Sequence, residues 1–278
     1  MLLIADSGST KTAWCVLQEG HTHSYFKSSG INPYMQNQEE IVHSLQVELL
    51  PQLTPKSITT IFFYGAGCTP DKAPLLENVF NQLFPQAEVN IHTDLLGAAR
   101  SLCGCHTGIA CILGTGSNSC LYDGNTITHN TPPLGFILGD EGSGAVLGKN
   151  LVGELIKGNI PQEIRKAFEE ETKLTLPEII QRVYRSPFPN RFLATLSSFI
   201  AAHREHPAIH TFLINNFRLF LVRNVAHYPH AHQLPIHFTG SIAYHFANEL
   251  EEATHLEKFH IGKIQQNPLE GLVSFHTA

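Results

Sequence analysis

Apolar residues fall along the chain in short bursts broken by glycine, proline and small polar residues, and the spacing inside each burst predicts its element. Leu2 to Ala5 and Thr12 to Leu17 read as strands joined across Asp6-Ser-Gly-Ser-Thr10, with Gly8 at the turn. Ser24 to Lys27 is a third strand-like piece, closed by Gly30 and Pro33. Gln38 to Leu50 carries apolar residues at Ile41, Val42, Leu45, Val47, Leu49 and Leu50, a helical spacing that Pro51 and Pro55 end. Ile58 to Tyr64 predicts a strand, Asp71 to Phe84 a helix, Glu88 to His92 a strand and Asp94 to Leu102 a short helix.

The pattern then restarts. Gly108 to Leu113 is an apolar strand, Gly114-Thr-Gly-Ser-Asn118 a tight loop and Ser119 to Tyr122 a strand that ends in the Asp123-Gly124 turn. A strand, glycine loop and strand thus occur twice, which predicts a duplicated α/β domain. From Glu141 to about Glu205 the chain is mainly helical, and Thr211 to His227 reads as one more helix. A strand (Pro235 to Phe238), a helix (Ala243 to Ala253), a strand (Lys258 to Ile261) and a terminal helix (Pro268 to His276) complete the series. No low-complexity linker separates the halves, so the boundary near Cys103 to Thr107 reads as a tight hinge.

Composition narrows the function classes. Of 278 residues, 42% are hydrophobic and 15% charged, which suits a globular protein with a large core. The formal charge of −6 offers no basic stripe for nucleic acid. No apolar stretch approaches the roughly 20 residues of a membrane span. Met1 to Asp6 lacks a basic lead and does not read as a secretory signal, so a cytoplasmic protein is expected. Six scattered cysteines then read as thiols. Cys103-Gly-Cys105-His106 is too crowded for a zinc site, and no second ligand pair completes it.

Three glycine loops and two acidic sites carry the candidate chemistry. In Asp6-Ser7-Gly8-Ser9-Thr10-Lys11-Thr12, Gly8 lets the backbone turn sharply, so N–H groups and hydroxyls can converge on a phosphate. Asp6, at a strand end, can hold magnesium. The segment is not a Walker A loop, and a plain hairpin turn is the competing reading. Gly114 to Asn118 is a second donor-rich loop, and Thr239-Gly240-Ser241 joins a strand to a helix start. Asp94 either caps the helix after it or serves as a general base. Gly139-Asp140-Glu141-Gly142-Ser143 sets a second acidic pair between glycines, either a solvated capping pair or a functional one.

Together these segments resemble the sugar-kinase/Hsp70/actin superfamily, and within it the branch of N-acetylglucosamine kinases and BadF/BadG/BcrA/BcrD-type ATPases. Asp6 to Thr12, Asp94, Gly114 to Asn118, Gly135 to Ser143 and Thr239 to Ala243 stand in the family's order. The resemblance implies an α/β protein of two ribonuclease-H-like (actin-like ATPase) domains that close on an interdomain ATP cleft. Residues 1–104 would form the first, with the terminal helix 267–278 able to pack back on it, and 105–266 the second, with a helical insertion. It implies an ATP- and Mg2+-dependent carbohydrate kinase acting on a small N-acetylated amino sugar, N-acetylglucosamine or N-acetylmuramic acid, at its 6-hydroxyl. Nucleic acid and membrane are not implied partners, and a homodimer is left open. Position by position, Gly8, Ser9, Thr10, Lys11 and Thr12 match the phosphate hairpin, Asp6 would lie near magnesium and Asp94 matches the family's catalytic carboxylate. Gly114, Thr115 and Gly116 match nucleotide contacts, and Gly240 and Ser241 the adenosine loop. Asn32, Ser117, Asn118, Gly135 and Asp140 match sugar contacts.

One departure bears on the sugar. Kinases of this branch usually carry Gly-Gly-Trp-Gly before the acidic pair, where this chain reads Pro132-Pro133-Leu134-Gly135. Leu134 in place of an indole predicts a roomier wall beside the sugar ring. A BadF-type ATPase that activates a dehydratase or reductase is the alternative, but Cys111 and Cys120 lie on strand-like runs unlike the relatives' cluster loop. A non-catalytic sugar-sensing regulator would need DNA-binding and zinc segments that the sequence does not show.

Overall fold

The computed structural model describes residues 1–8, 10–18 and 23–278, with only the backbone of His23. Two compact units emerge: Met1–Cys105 with Gly124–Thr126 and Pro268–Ala278, and His106–Asp123 with Ile127–Asn267. Among the described residues no helix is long and apolar enough to cross a membrane.

The first unit is built on β1 (Leu2–Ser7), β2 (Lys11–Leu17), β3 (His23–Ser29), β4 (Thr60–Gly65) and β5 (Glu88–Thr93). Their order across the sheet is β3-β2-β1-β4-β5, with β2 antiparallel to both β1 and β3, and β4 and β5 parallel to β1. Neighbouring residues of β1 serve different layers, as the two-residue period of a strand requires. Leu3 and Ala5 pack with Ile41, Leu45, Leu76 and Phe80 from the helices Gln38–Glu48 and Ala73–Leu83. Ile4, between them, packs with Tyr64 and with Leu269, Leu272 and Val273 of the terminal helix Leu269–Thr277. The lone tryptophan, Trp14, is fully buried and donates to Ser28 Oγ at 2.8 Å, so its burial leaves no donor unmet.

The second unit repeats the plan with β6 (Gly108–Leu113), β7 (Ser117–Tyr122), β8 (Ile127–Thr131), β9 (Pro235–Thr239) and β10 (His260–Gln265), in the order β10-β9-β6-β7-β8. Read from its other edge this is the order of the first sheet, with the same pattern of parallel and antiparallel pairs. The duplication read from the glycine loops is therefore a duplication of topology. The helical insertion lies between β8 and β9 and includes Gly144–Lys157 and Pro207–Phe220.

Three local expectations need correction. β8 was not expected, because Ile127-Thr-His-Asn-Thr131 holds one apolar residue; it is an edge strand and needs little apolar surface. The helix expected over Ala243 to Ala253 is two helices, Ser241–His245 and Ala247–Leu256, broken at Phe246. The helix expected over Thr211 to His227 is α-helical over Pro207–Phe220 and becomes a π-helix over Leu221–Val225.

Candidate active site

In the first unit two carboxylates share a neighbourhood. Asp6 sits on β1 between Ala13 of β2 and Tyr64 of β4. Asp94 is the first residue of the helix Asp94–Cys103, which follows β5 directly. Capping falls to Thr93 instead, whose Oγ1 accepts the Leu96 N–H at 3.2 Å. Asp94, one position further on, also serves the first turn, since its Oδ1 accepts the Leu95 N–H at 2.9 Å. Burial raises the Asp94 pKa against the lowering effect of main-chain N–H groups. Burial, then the Asp94 charge, lifts Asp6 to about 7 despite the attraction of Lys11.

The helix that carries Asp94 is pinned at close range. A Cβ at Gly97 would stand 2.9 Å from Tyr64 Cβ, so only glycine lets the helix lie this near β4. Farther along, Arg100 Nη1 donates to Tyr64 Oη at 2.8 Å, and that hydroxyl is 2.9 Å from His276 Nε2 on the terminal helix. Burial, then Arg100 and His92, holds the His276 pKa down at about 4, so the ring is neutral at pH 7 and can accept from Tyr64.

The first hairpin divides into an outer and an inner part. Gly8, Thr10 and Lys11 are exposed, and the Gly8 N–H closes on the Lys11 carbonyl at 3.0 Å. Ser9 lies outside the described residues. Gly8 does not use a left-handed backbone, and a Cβ there would meet only the Lys11 carbonyl oxygen, at 3.8 Å. Its expected conformational role is therefore not what the structure shows; what glycine leaves there is open space. Thr12 is fully buried, with its Oγ1 2.7 Å from Ser7 Oγ and donating to the Ser29 carbonyl at 3.0 Å. Its hydroxyl is committed to the sheet, where it holds the hairpin's shape and is not offered to a ligand. Asn32 is partly buried, and its Oδ1 accepts the Tyr34 N–H at 3.0 Å.

In the second unit the strands leave only Gly114, Thr115 and Gly116 in the turn, and Ser117 and Asn118 already belong to β7. The carbonyls of Gly114 and Thr115 accept the N–H groups of Gly144 and Ala145 at 2.8 and 3.1 Å. Together with Ser143 Oγ, which accepts from Val146 at 3.2 Å, they satisfy the start of the helix Gly144–Lys157. Gly240 packs against the same turn: with φ +113°, a Cβ there would fall 2.3 Å from the Leu113 carbonyl oxygen. The second and third loops are therefore neighbours within one unit. Ser241 stands exposed at the start of its five-residue helix.

Asp140 reaches the turn from the other side. Its Oδ2 lies 3.0 Å from where a Gly116 Cβ would be, and the Ser117 N–H is bonded to its carboxylate. Burial lifts its pKa to about 6, with the Ser117 bond and Lys149 lowering it and Glu141 raising it. Neither acid is a solvated cap, since Ser143 does the capping and Glu141 is 8% exposed. Burial raises Glu141 too, but hydrogen bonds from Arg223, its own N–H and Asn224 outweigh it and hold it below the usual carboxylate value. Leu134 and Gly135 are exposed and both left-handed, with φ of 63° and 74°, just before the helical turn Gly135–Leu138. Cys111 and Cys120 are fully buried in β6 and β7, a setting opposed to cluster binding by convergent, exposed thiolates.

Comparison with known protein families finds no match, and neither does comparison with curated proteins. Solved structures do match. A candidate N-acetylglucosamine kinase from Porphyromonas gingivalis shares 50% identity over 99% of this chain and 98% of its own, with a TM-score of 0.95. The chain belongs to the N-acetylglucosamine kinase family of the sugar-kinase/Hsp70/actin superfamily. A candidate N-acetylglucosamine kinase from Chromobacterium violaceum, 17% identical over 99% of this chain and 98% of its own, shares the fold at a TM-score of 0.77. So does a candidate N-acetylmannosamine kinase from Listeria monocytogenes, 14% identical over 99% and 98%, at 0.51. The two sheets of like order are thus the paired ribonuclease-H-like domains of the family.

Sequence reasoning missed Thr93 as the cap, although a threonine before an acidic first turn is a readable signal. It also missed Arg223 and Asn224, which lie 82 and 83 positions from Glu141 and leave no local pattern.

Proposed function

We propose that this chain is an ATP-dependent carbohydrate kinase that transfers the γ-phosphoryl group of ATP to the 6-hydroxyl of an N-acetylated amino sugar, either N-acetylglucosamine or N-acetylmuramic acid. The observation that carries this reading is Asp94, a buried carboxylate at the end of β5 whose charge acts on Asp6. The 50% identity to the Porphyromonas gingivalis protein supports the substrate class.

Each role follows from the chemistry of its residue. Asp94 takes the proton from the attacking hydroxyl oxygen, and burial makes its carboxylate a stronger base than an exposed one. Asp6 fits a magnesium ion, because a buried carboxylate whose proton affinity is raised further by the Asp94 charge is relieved by a dication. Magnesium takes one or two carboxylates and completes its octahedron with water and phosphate oxygens, so it would neutralise charge on the nucleotide's phosphates. In the first unit Thr10 and Lys11 are exposed donors for phosphate, and Gly8, whose N–H closes on the Lys11 carbonyl, leaves room beside them. In the second unit Gly114, Thr115 and Gly116 are assigned to the phosphates, and Gly240 and Ser241 to the adenosine. Asp140 accepts from sugar hydroxyls. Asn118 Oδ1 is taken by the Ser119 N–H and by Asn130 Nδ2, both at 2.9 Å, which leaves its amide NH2 as the donor for a sugar oxygen. Asn32, Ser117, Leu134 and Gly135 complete the sugar set.

ADP release in a coupled assay, across N-acetylated and free amino sugars with ATP and magnesium, tests the reading. N-acetylated sugars should stimulate turnover far above the others. ATP turnover that no sugar stimulates would overturn it.

A further inference from the structure

The helix Pro207–Phe220 widens at its end into a π-turn over Leu221–Val225, closed by the Ala226 N–H on the Leu221 carbonyl at 2.9 Å. π-turns are rare and concentrate at functional sites. This one delivers two consecutive side chains to one carboxylate: Arg223 Nη1 donates to Glu141 Oε1 at 3.0 Å, and Asn224 Nδ2 to Glu141 Oε2 at 3.2 Å. Consecutive residues of a regular helix project about 100° apart, which makes such convergence difficult without the wider turn.

The π-turn is itself anchored. Thr131 Oγ1 of β8 donates to the Asn224 carbonyl at 2.9 Å, and the Thr131 N–H donates to Tyr228 Oη at 3.0 Å. Tyr228 Oη lies 2.7 Å from Ser119 Oγ of β7. The clamp on Glu141 is therefore tied directly to β8 and, through Tyr228, to β7, the strand that carries Ser117 and Asn118.

What the clamp holds is a strained turn. Asp140 has φ 53°, a left-handed backbone that a non-glycine residue keeps only where its surroundings over-determine it. Three ties do so: the Asp140 N–H on the Pro133 carbonyl at 2.8 Å, the clamp on Glu141, and Gly142, where a Cβ would come 3.0 Å from Phe220 Cβ. We propose that Arg223 and Asn224 are positioning residues that act through Glu141 to hold the Asp140 turn in the shape sugar binding needs. The inference rests on the reading of Asp140 as a carboxylate for sugar hydroxyls.

The test compares Arg223→Met, Arg223→Lys and Asp140→Asn with the wild type in steady-state kinetics and thermal unfolding. The Arg223 side chain is 61% exposed, so its replacement leaves the core untouched. Arg223→Met should raise the sugar KM about tenfold while the ATP KM stays within about twofold. Arg223→Lys, which keeps a charge and a donor, should recover most of the loss. A lowered melting temperature with an unchanged sugar KM would make the clamp merely structural and overturn the proposal, as would equal rises in both KM values. If Asp140→Asn raises the sugar KM and Arg223→Met does not, the clamp alone is refuted. If Asp140→Asn leaves the sugar KM unchanged, the underlying assignment of Asp140 falls, and the clamp's role with it.

Discussion

Replacing Asp6 with asparagine tests the electrostatics of the carboxylate pair separately from catalysis. Burial, then the Asp94 charge, lifts the Asp6 pKa from 3.8 to about 7. Because the folded value lies above the unfolded one, the folded chain holds the extra proton between them. The stability this gives is complete below about pH 4 and is lost as pH rises through about 7. A shift of about three units, at about 1.4 kcal/mol each, sets a ceiling near 4 kcal/mol. Asp6 and Asp94 titrate as a coupled pair that shares its proton, so the expected cost assigned to the ionised Asp6 carboxylate is about 1–3 kcal/mol at about pH 8. Asparagine keeps the shape without the charge, so Asp6→Asn should melt about 3–9 °C above the wild type at that pH. The assay is scanning calorimetry without nucleotide and with a chelator, repeated across the pH range. The gap should narrow as pH falls through about 7 and close below about pH 4, as the carboxyl becomes protonated in the unfolded state too. Equal melting temperatures at about pH 8, or a gap that widens on acidification, would mean that the folded chain does not raise the Asp6 proton affinity.

Gly240→Ala should cost more than about 2 kcal/mol in thermal or urea unfolding, because it combines a left-handed backbone with a clash on the Leu113 carbonyl. A mutant of wild-type stability would contradict that packing. Gly8→Val should fold normally, since its Cβ meets open space, yet weaken ATP binding about tenfold or more in calorimetric titration. Unchanged ATP affinity would reduce the hairpin to a turn. Leu134→Trp should shift the kcat/KM ratio toward N-acetylglucosamine over N-acetylmuramic acid by about tenfold. A ratio that does not move would remove Leu134 from the sugar wall.

Much of this architecture is legible in the chain, and what is not has physical causes. The central strands announce themselves because both of their faces are covered, so Leu2 to Ala5 and Gly108 to Leu113 read as unbroken apolar runs. β8 does not, because an edge strand with one apolar residue resembles a loop. The acidic and glycine segments stand out by composition, yet composition leaves Asp94 equally suited to capping and to catalysis. Only in three dimensions does the N-cap position fall to Thr93, whose Oγ1 accepts the Leu96 N–H. Thr12 shows the opposite limit: a threonine in a phosphate-type loop looks available in sequence and is buried in the sheet. The π-turn at Leu221–Val225 has no sequence period of its own, and the tie of Arg223 and Asn224 to Glu141 exists only in three dimensions.

The proposed kinase activity rests on Asp94 as the base of a phosphoryl transfer to a sugar hydroxyl. It is tested most directly by measuring, for wild type and Asp94→Asn, the formation of phosphorylated N-acetylated amino sugar from ATP and magnesium, together with nucleotide affinity. The amide keeps the size of the carboxylate and cannot take the proton. With Asp94 as the base, kcat falls by about a hundredfold to ten-thousandfold while ATP affinity stays within about twofold of the wild type. A mutant that keeps more than about a third of its kcat would contradict that role.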